Sequence, residues 1–77
     1  MDAFLVFLRR HVRPGSNLDA STPMLSSGLI DSFHLAELLV SIEDEYGVVI
    51  PVNEIGVDNF DTPEQMLRFV SFLRGKG

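Results

Sequence analysis

Residues 32–47 read Ser-Phe-His-Leu-Ala-Glu-Leu-Leu-Val-Ser-Ile-Glu-Asp-Glu-Tyr-Gly, and this stretch decides the fold. Leu35, Leu38, Leu39, Ile42 and Tyr46 fall at i, i+3, i+4, i+7 and i+11, the spacing of one face of an α-helix. Gly47 is placed to end that helix in a left-handed cap. The spacing therefore predicts a helix over 32–46, with Asp31 or Ser32 capping its start. Val48-Val49-Ile50 before Pro51 is strand-like, but a single run has no partner, so a packed extended segment is expected.

Toward the N-terminus, residues 2–13 also read as a helix. Asp2 can cap its start, Leu5, Leu8 and Val12 share a face, and Phe4 and Phe7 widen it. Arg9, Arg10 and Arg13 crowd the last turn, where positive charge offsets the helix dipole, and Pro14-Gly15 stops it. The connection over 14–31 is too long for a plain link. Leu18, Met24, Leu25, Leu29 and Ile30 are spaced through it as anchors, which predicts an ordered loop.

Toward the C-terminus, residues 52–61 hold at most a short helix, with Ile55, Val57 and Phe60 available to bury. Thr62, Pro63 and Gln65 form a capping box with proline at the first helical position. Met66, Phe69, Val70 and Leu73 follow as a core stripe. The expected architecture is all-α: one domain over residues 1–77, a small antiparallel bundle of three main helices and one short one, with a long loop between the first two. A chain of 77 residues has a thin core, since a domain this small buries only about 60% of its unfolded surface.

Composition narrows the function. There is no cysteine, so disulfides, thiolate metal sites and cysteine nucleophiles are excluded. The formal charge of −5 argues against nucleic acid, which rewards a basic face. Nine carboxylates lie between Asp31 and Glu64 with no Lys or Arg among them. No apolar run reaches the ~20 residues of a membrane span, and the first residues lack a signal-peptide pattern, so a cytoplasmic protein is expected.

Asp31, Ser32 and His34 invite comparison with a hydrolytic triad, but at about 100° per residue His34 points roughly 200° from Ser32. Glu43, Asp44 and Glu45 are consecutive and fan around the helix, and no calcium-binding loop motif is present. Catalysis and metal binding are thus not expected. Opposite the core stripe stand Phe33, Glu37, Val40, Ser41 and Asp44, within about 60° of the outward direction. Two apolar residues among acids suit a protein-docking stripe. Alternatively, Phe33 tucks under the preceding loop and Val40 is an ordinary exposed aliphatic. A phosphate ester on Ser32 would meet free N–H groups at the helix start.

Gly28-Leu29-Ile30-Asp31-Ser32-Phe33, then Leu35, Glu37-Leu38 and Ile42-Glu43-Asp44-Glu45-Tyr46-Gly47, resemble the acyl carrier protein family. The likeness continues through Ile50-Pro51 and Asn59-Phe60-Asp61-Thr62-Pro63. It implies a non-catalytic, monomeric four-helix carrier whose Ser32, preceded by the motif residue Asp31, takes 4′-phosphopantetheine from coenzyme A. A separate phosphopantetheinyl transferase supplies the base and metal for that step. The resemblance further implies that Phe33, Glu37, Val40, Glu43 and Asp44 meet basic patches on acyl-loading and acyl-processing enzymes. Ile55 would border the arm, and Leu39, Ile50 and Phe60 would line any space for cargo. Phe33 and His34 depart from fatty-acid carriers, and the Gly-Gly-His-Ser-Leu of peptidyl carriers is missing. The pattern is more similar to discrete carriers of specialised, polyketide-like pathways and to D-alanyl carriers. An unmodified acidic adaptor is the competing reading.

Overall fold

The helix expected over 32–46 spans Ser32–Tyr46 (α2) from its first residue to its last. The computed structural model describes residues 1–12, 15 and 17–76, the last without its side chain. Around α2 lie α1 (Asp2–Arg9), a 3-10 turn at Val52–Glu54, α3 (Val57–Phe60) and α4 (Pro63–Lys76). No strand occurs among the described residues, so the architecture is an all-helical bundle.

The core draws on every segment. Phe4, Phe7 and Leu8 come from α1, Leu38 and Ile42 from α2, Phe60 from α3, and Met66 and Val70 from α4, all buried. Leu35, Leu39 and Tyr46 pack against them, so the α2 stripe faces inward as the spacing requires. Tyr46 meets Phe4 and Phe7 edge-on at 5.8 and 5.7 Å between ring centroids. Gly47 has φ 65° and gives its N–H to the Glu43 carbonyl at 2.9 Å, the left-handed cap that its position predicts. Beyond it, Val48 and Ile50 are buried while Val49 is exposed, an extended segment with one face on the core.

Three expectations need correction. First, α1 ends at Arg9 instead of running to residue 13, because Arg10 and His11 give their N–H groups to Phe7 and Leu8 three residues back. Such i→i−3 bonds tighten the chain out of the α-helix. Of the expected Pro14-Gly15 stop, Pro14 lies outside the described residues, as does Arg13 before it. Second, Asp2 is not the cap: Met1 is, and Asp2 stands in the first turn with no capping bond, where its charge still suits the dipole. Third, Val57 is half exposed, because α3 is only four residues long and turns Phe60 alone into the core.

The long loop is ordered by specific ties. Leu18, Met24 and Ile30 are buried, and Leu25 and Leu29 pack on the core. The Asp61 carboxylate accepts the N–H groups of Leu25 (3.0 Å) and Ser26 (2.8 Å) and the Ser26 hydroxyl (2.9 Å). The Asp61 carbonyl takes the Met24 N–H, and the Ala20 carbonyl takes the Glu64 N–H at the start of α4. The capping box forms in full: Gln65 N–H donates to the Thr62 hydroxyl at 3.1 Å, and Thr62 N–H donates back to the Gln65 side chain at 3.0 Å. These bonds hold the loop against the α3–α4 junction and so fix where α2 begins.

Candidate functional site

Asp31 resolves the capping question. Its Oδ1 accepts the His34 N–H at 2.8 Å and also faces His34 Nδ1 at 2.9 Å. Those contacts, the backbone N–H first, hold its carboxyl below the ordinary aspartate range. Ser32 is therefore not the cap but the first helical residue, and it is exposed. Its hydroxyl bonds no protein group among the described residues. His34 is turned to Asp31 and not to Ser32, so these three side chains do not line up as a Ser-His-Asp relay.

The residues after Ser32 divide by what they touch. Phe33 is 71% exposed, which removes the alternative that it tucks under the loop; its ring lies edge-on to His34 at 5.6 Å. Val40 is 58% exposed, and Glu37 and Asp44 are exposed without an ion pair among the described residues. These four make one acidic, partly apolar face on α2. Ser41 and Glu43 are half-buried. The Glu43 Oε2 accepts the Ile50 N–H at 2.8 Å, so this acid also braces the segment after α2.

Ile55 is half-buried against the core beside the 3-10 turn. Ile50 and Phe60 belong to the packed core, with Leu39 resting against it.

Sequence reasoning did not single out Asp61 as the loop's anchor. Its only signal was its place in Asn59-Phe60-Asp61-Thr62-Pro63. Nor did it find the groove of about 580 Å³ between the end of α1, the 28–31 segment and α2, where His11 and Glu37 share the lining. Burial lowers the His11 pKa there, while Glu37 acts to raise it. No group of three or more His, Asp or Glu side chains among the described residues is arranged to hold a metal ion. No helix among them is long and apolar enough to cross a membrane.

Chemically, the site offers an unengaged primary hydroxyl at the positive end of a 15-residue helix, backed by an acidic face. An esterified phosphate fits there, since helix-start N–H groups and the dipole favour an anion and no side chain blocks the oxygen.

Comparison with known proteins agrees. A family model described as "Phosphopantetheine attachment site" matches residues 7–70. The D-alanyl carrier protein of Bacillus velezensis is 35% identical over 51 residues, which are 66% of this chain and 65% of that one. The lincomycin biosynthesis protein LmbN of Streptomyces lincolnensis is 42% identical over 65 residues, 82% of this chain but 23% of LmbN. A chain from the crystal structure of an FAD-dependent dehydrogenase superposes with TM-score 0.74 at 29% identity, covering 95% of this chain and 100% of that one. The exposed serine on a capped acidic helix and the match over residues 7–70 lead to one conclusion: this chain belongs to the phosphopantetheine-attachment family of carrier proteins, whose 4′-phosphopantetheine is covalently attached.

Proposed function

We propose that Ser32 is the attachment residue and that the chain carries acyl intermediates to enzymes of a specialised biosynthetic pathway. The observation that carries this reading is the exposed, unbonded Ser32 hydroxyl at the first position of α2, inside the family match. The attached group supplies a thiol that holds cargo as a thioester. This chain's own residues do the remaining work. Asp31 caps α2 and so fixes the direction in which Ser32 leaves the bundle. Ser32 presents its oxygen to the transferase and loses its proton to a base there, since His34 is held by Asp31. Phe33, Glu37, Val40 and Asp44 offer the surface on which basic enzymes dock, with Glu43 and Ile55 at its margin.

A second reading, an aminoacyl cargo, is favoured by the D-alanyl carrier relative, whereas LmbN, a lincomycin biosynthesis protein, favours a specialised pathway. The structural neighbour makes a flavin-dependent dehydrogenase a partner class to test. The decisive experiment is intact mass after incubation with coenzyme A and a broad-specificity transferase. One phosphopantetheine should add to the wild type and none to Ser32→Ala. An equal gain in the variant, or no gain in either, overturns the assignment. Partner binding that survives Ser32→Ala and needs no arm would instead support the unmodified adaptor.

A further inference from the structure

One imidazole reaches both chain neighbours of Ser32. His34 Nδ1 lies 2.9 Å from Asp31 Oδ1, on the residue before the serine. The same ring stands nearly perpendicular to Phe33, on the residue after it, with centroids 5.6 Å apart and planes at 81°. An ionised carboxylate only accepts, so the ring donates from Nδ1. The His34 backbone N–H donates beside it, at 2.8 Å, to the same oxygen. A helix cap needs the backbone bond alone. The ring adds a second hold on the cap. Phe33 is 71% exposed and has no other aromatic neighbour among the described residues, so the imidazole is the ring that steers it.

We infer that His34 is a positioning residue for the modification of Ser32, fixing Asp31 and Phe33 so that a transferase meets the serine and both flanks in one arrangement. The inference rests on Ser32 being the attachment residue. His34 acts through its neighbours, since the Ser32 hydroxyl bonds no protein group among the described residues. Fold stability does not account for the contact. The two side chains are 54% and 65% exposed, and exposed pairs of this kind contribute little to folding. Their order has its effect at the encounter. Side chains fixed beforehand remove an ordering cost from binding, and a nucleophile held in one direction reacts faster than one that wanders.

The test is the steady-state rate at which a broad-specificity transferase and coenzyme A modify the full chain, read by intact mass. His34→Ala should lower kcat/KM for the carrier about fivefold, the scale of one lost hydrogen bond. The KM for coenzyme A and the melting temperature should stay unchanged. His34→Asn keeps a donor where Nδ1 stands and should recover most of the rate. His34→Phe keeps only a ring beside Phe33 and should recover less. In His34→Ala the Asp31 carboxyl, followed by ¹³C shifts, should titrate closer to the ordinary aspartate range, because one of its donors is gone. A wild-type rate in His34→Ala, a loss that follows the melting temperature, or no recovery in His34→Asn overturns the inference and leaves the attachment reading intact. A wild type that takes no arm, or a Ser32→Ala variant that takes one, overturns both.

Discussion

Glu37 and Glu43 share a helix and a charge but differ in what they touch. Glu37 faces solvent, whereas Glu43 accepts the backbone N–H of Ile50 across the Gly47 reversal. Removing that acceptor leaves a part-buried donor unpaired, which costs on the order of 1 kcal/mol. Glu43→Ala should therefore lower the melting temperature by roughly 4–8 °C, the usual response of a domain this size. Glu37→Ala should change stability by less than about 0.5 kcal/mol, as for most surface substitutions. Urea titration of both variants checks the pair, and equal losses would show that the Ile50 bond contributes nothing particular. This distinction was not legible in the sequence. Both residues read as members of one acidic run, because the partner of Glu43 is a backbone group seven residues on.

The two ends of α2 and the start of α4 were the most legible boundaries, and they are also where local chemistry is strongest. The α2 stripe, the Gly47 cap and the Thr62–Gln65 box all follow from side chains within a few residues of one another. Gly47 has open space where a Cβ would sit, so Gly47→Ala meets no clash; only its φ of 65° opposes the change. The expected loss is about 1 kcal/mol, the left-handed penalty alone. Thr62→Ala should cost a similar ~1 kcal/mol through the lost cap. Chemical denaturation measures each, and because the sites are far apart in sequence and share no hydrogen bond, the double variant should show the sum. The end of α1 was misread for the complementary reason. Arg10 and His11 look like a helical last turn, but nothing in their identity announces i→i−3 bonding. The role of Asp61 was hidden because its loop partners lie 35 and 36 residues away.

Across the whole molecule, charge governs both stability and encounter. Asp61, Asp31 and Asp19 each have a pKa held below the ordinary aspartate value, chiefly by backbone N–H groups of Ser26, His34 and Ser21 respectively. A carboxyl whose folded pKa is depressed adds stability above its unfolded pKa, about 3.9, and loses it as pH falls through the folded value. Stability should thus decline below about pH 4. Asp61→Asn should be less stable at neutral pH and show a shallower acid limb in pH-dependent thermal melts. At neutral pH the carboxylates between Asp31 and Glu64 set the field that a partner meets. Glu37→Lys combined with Asp44→Lys should slow modification by a basic transferase on the order of tenfold and weaken its salt dependence. Stopped-flow or timed mass spectrometry at two ionic strengths reads this; unchanged rates would remove the acidic face from the docking account.

The ties from Asp61 and Glu64 back to residues 20–26 also have a consequence in time. A contact that closes a long stretch of chain forms late, because the closure entropy precedes its reward. On refolding, α2 can therefore coil early through local contacts while the loop feeding it stays unbraced. Its start acquires its native setting only when the first turn of α4 arrives. Labelling by a transferase during refolding would then report not only that Ser32 is present but that the far end of the bundle has closed over the loop.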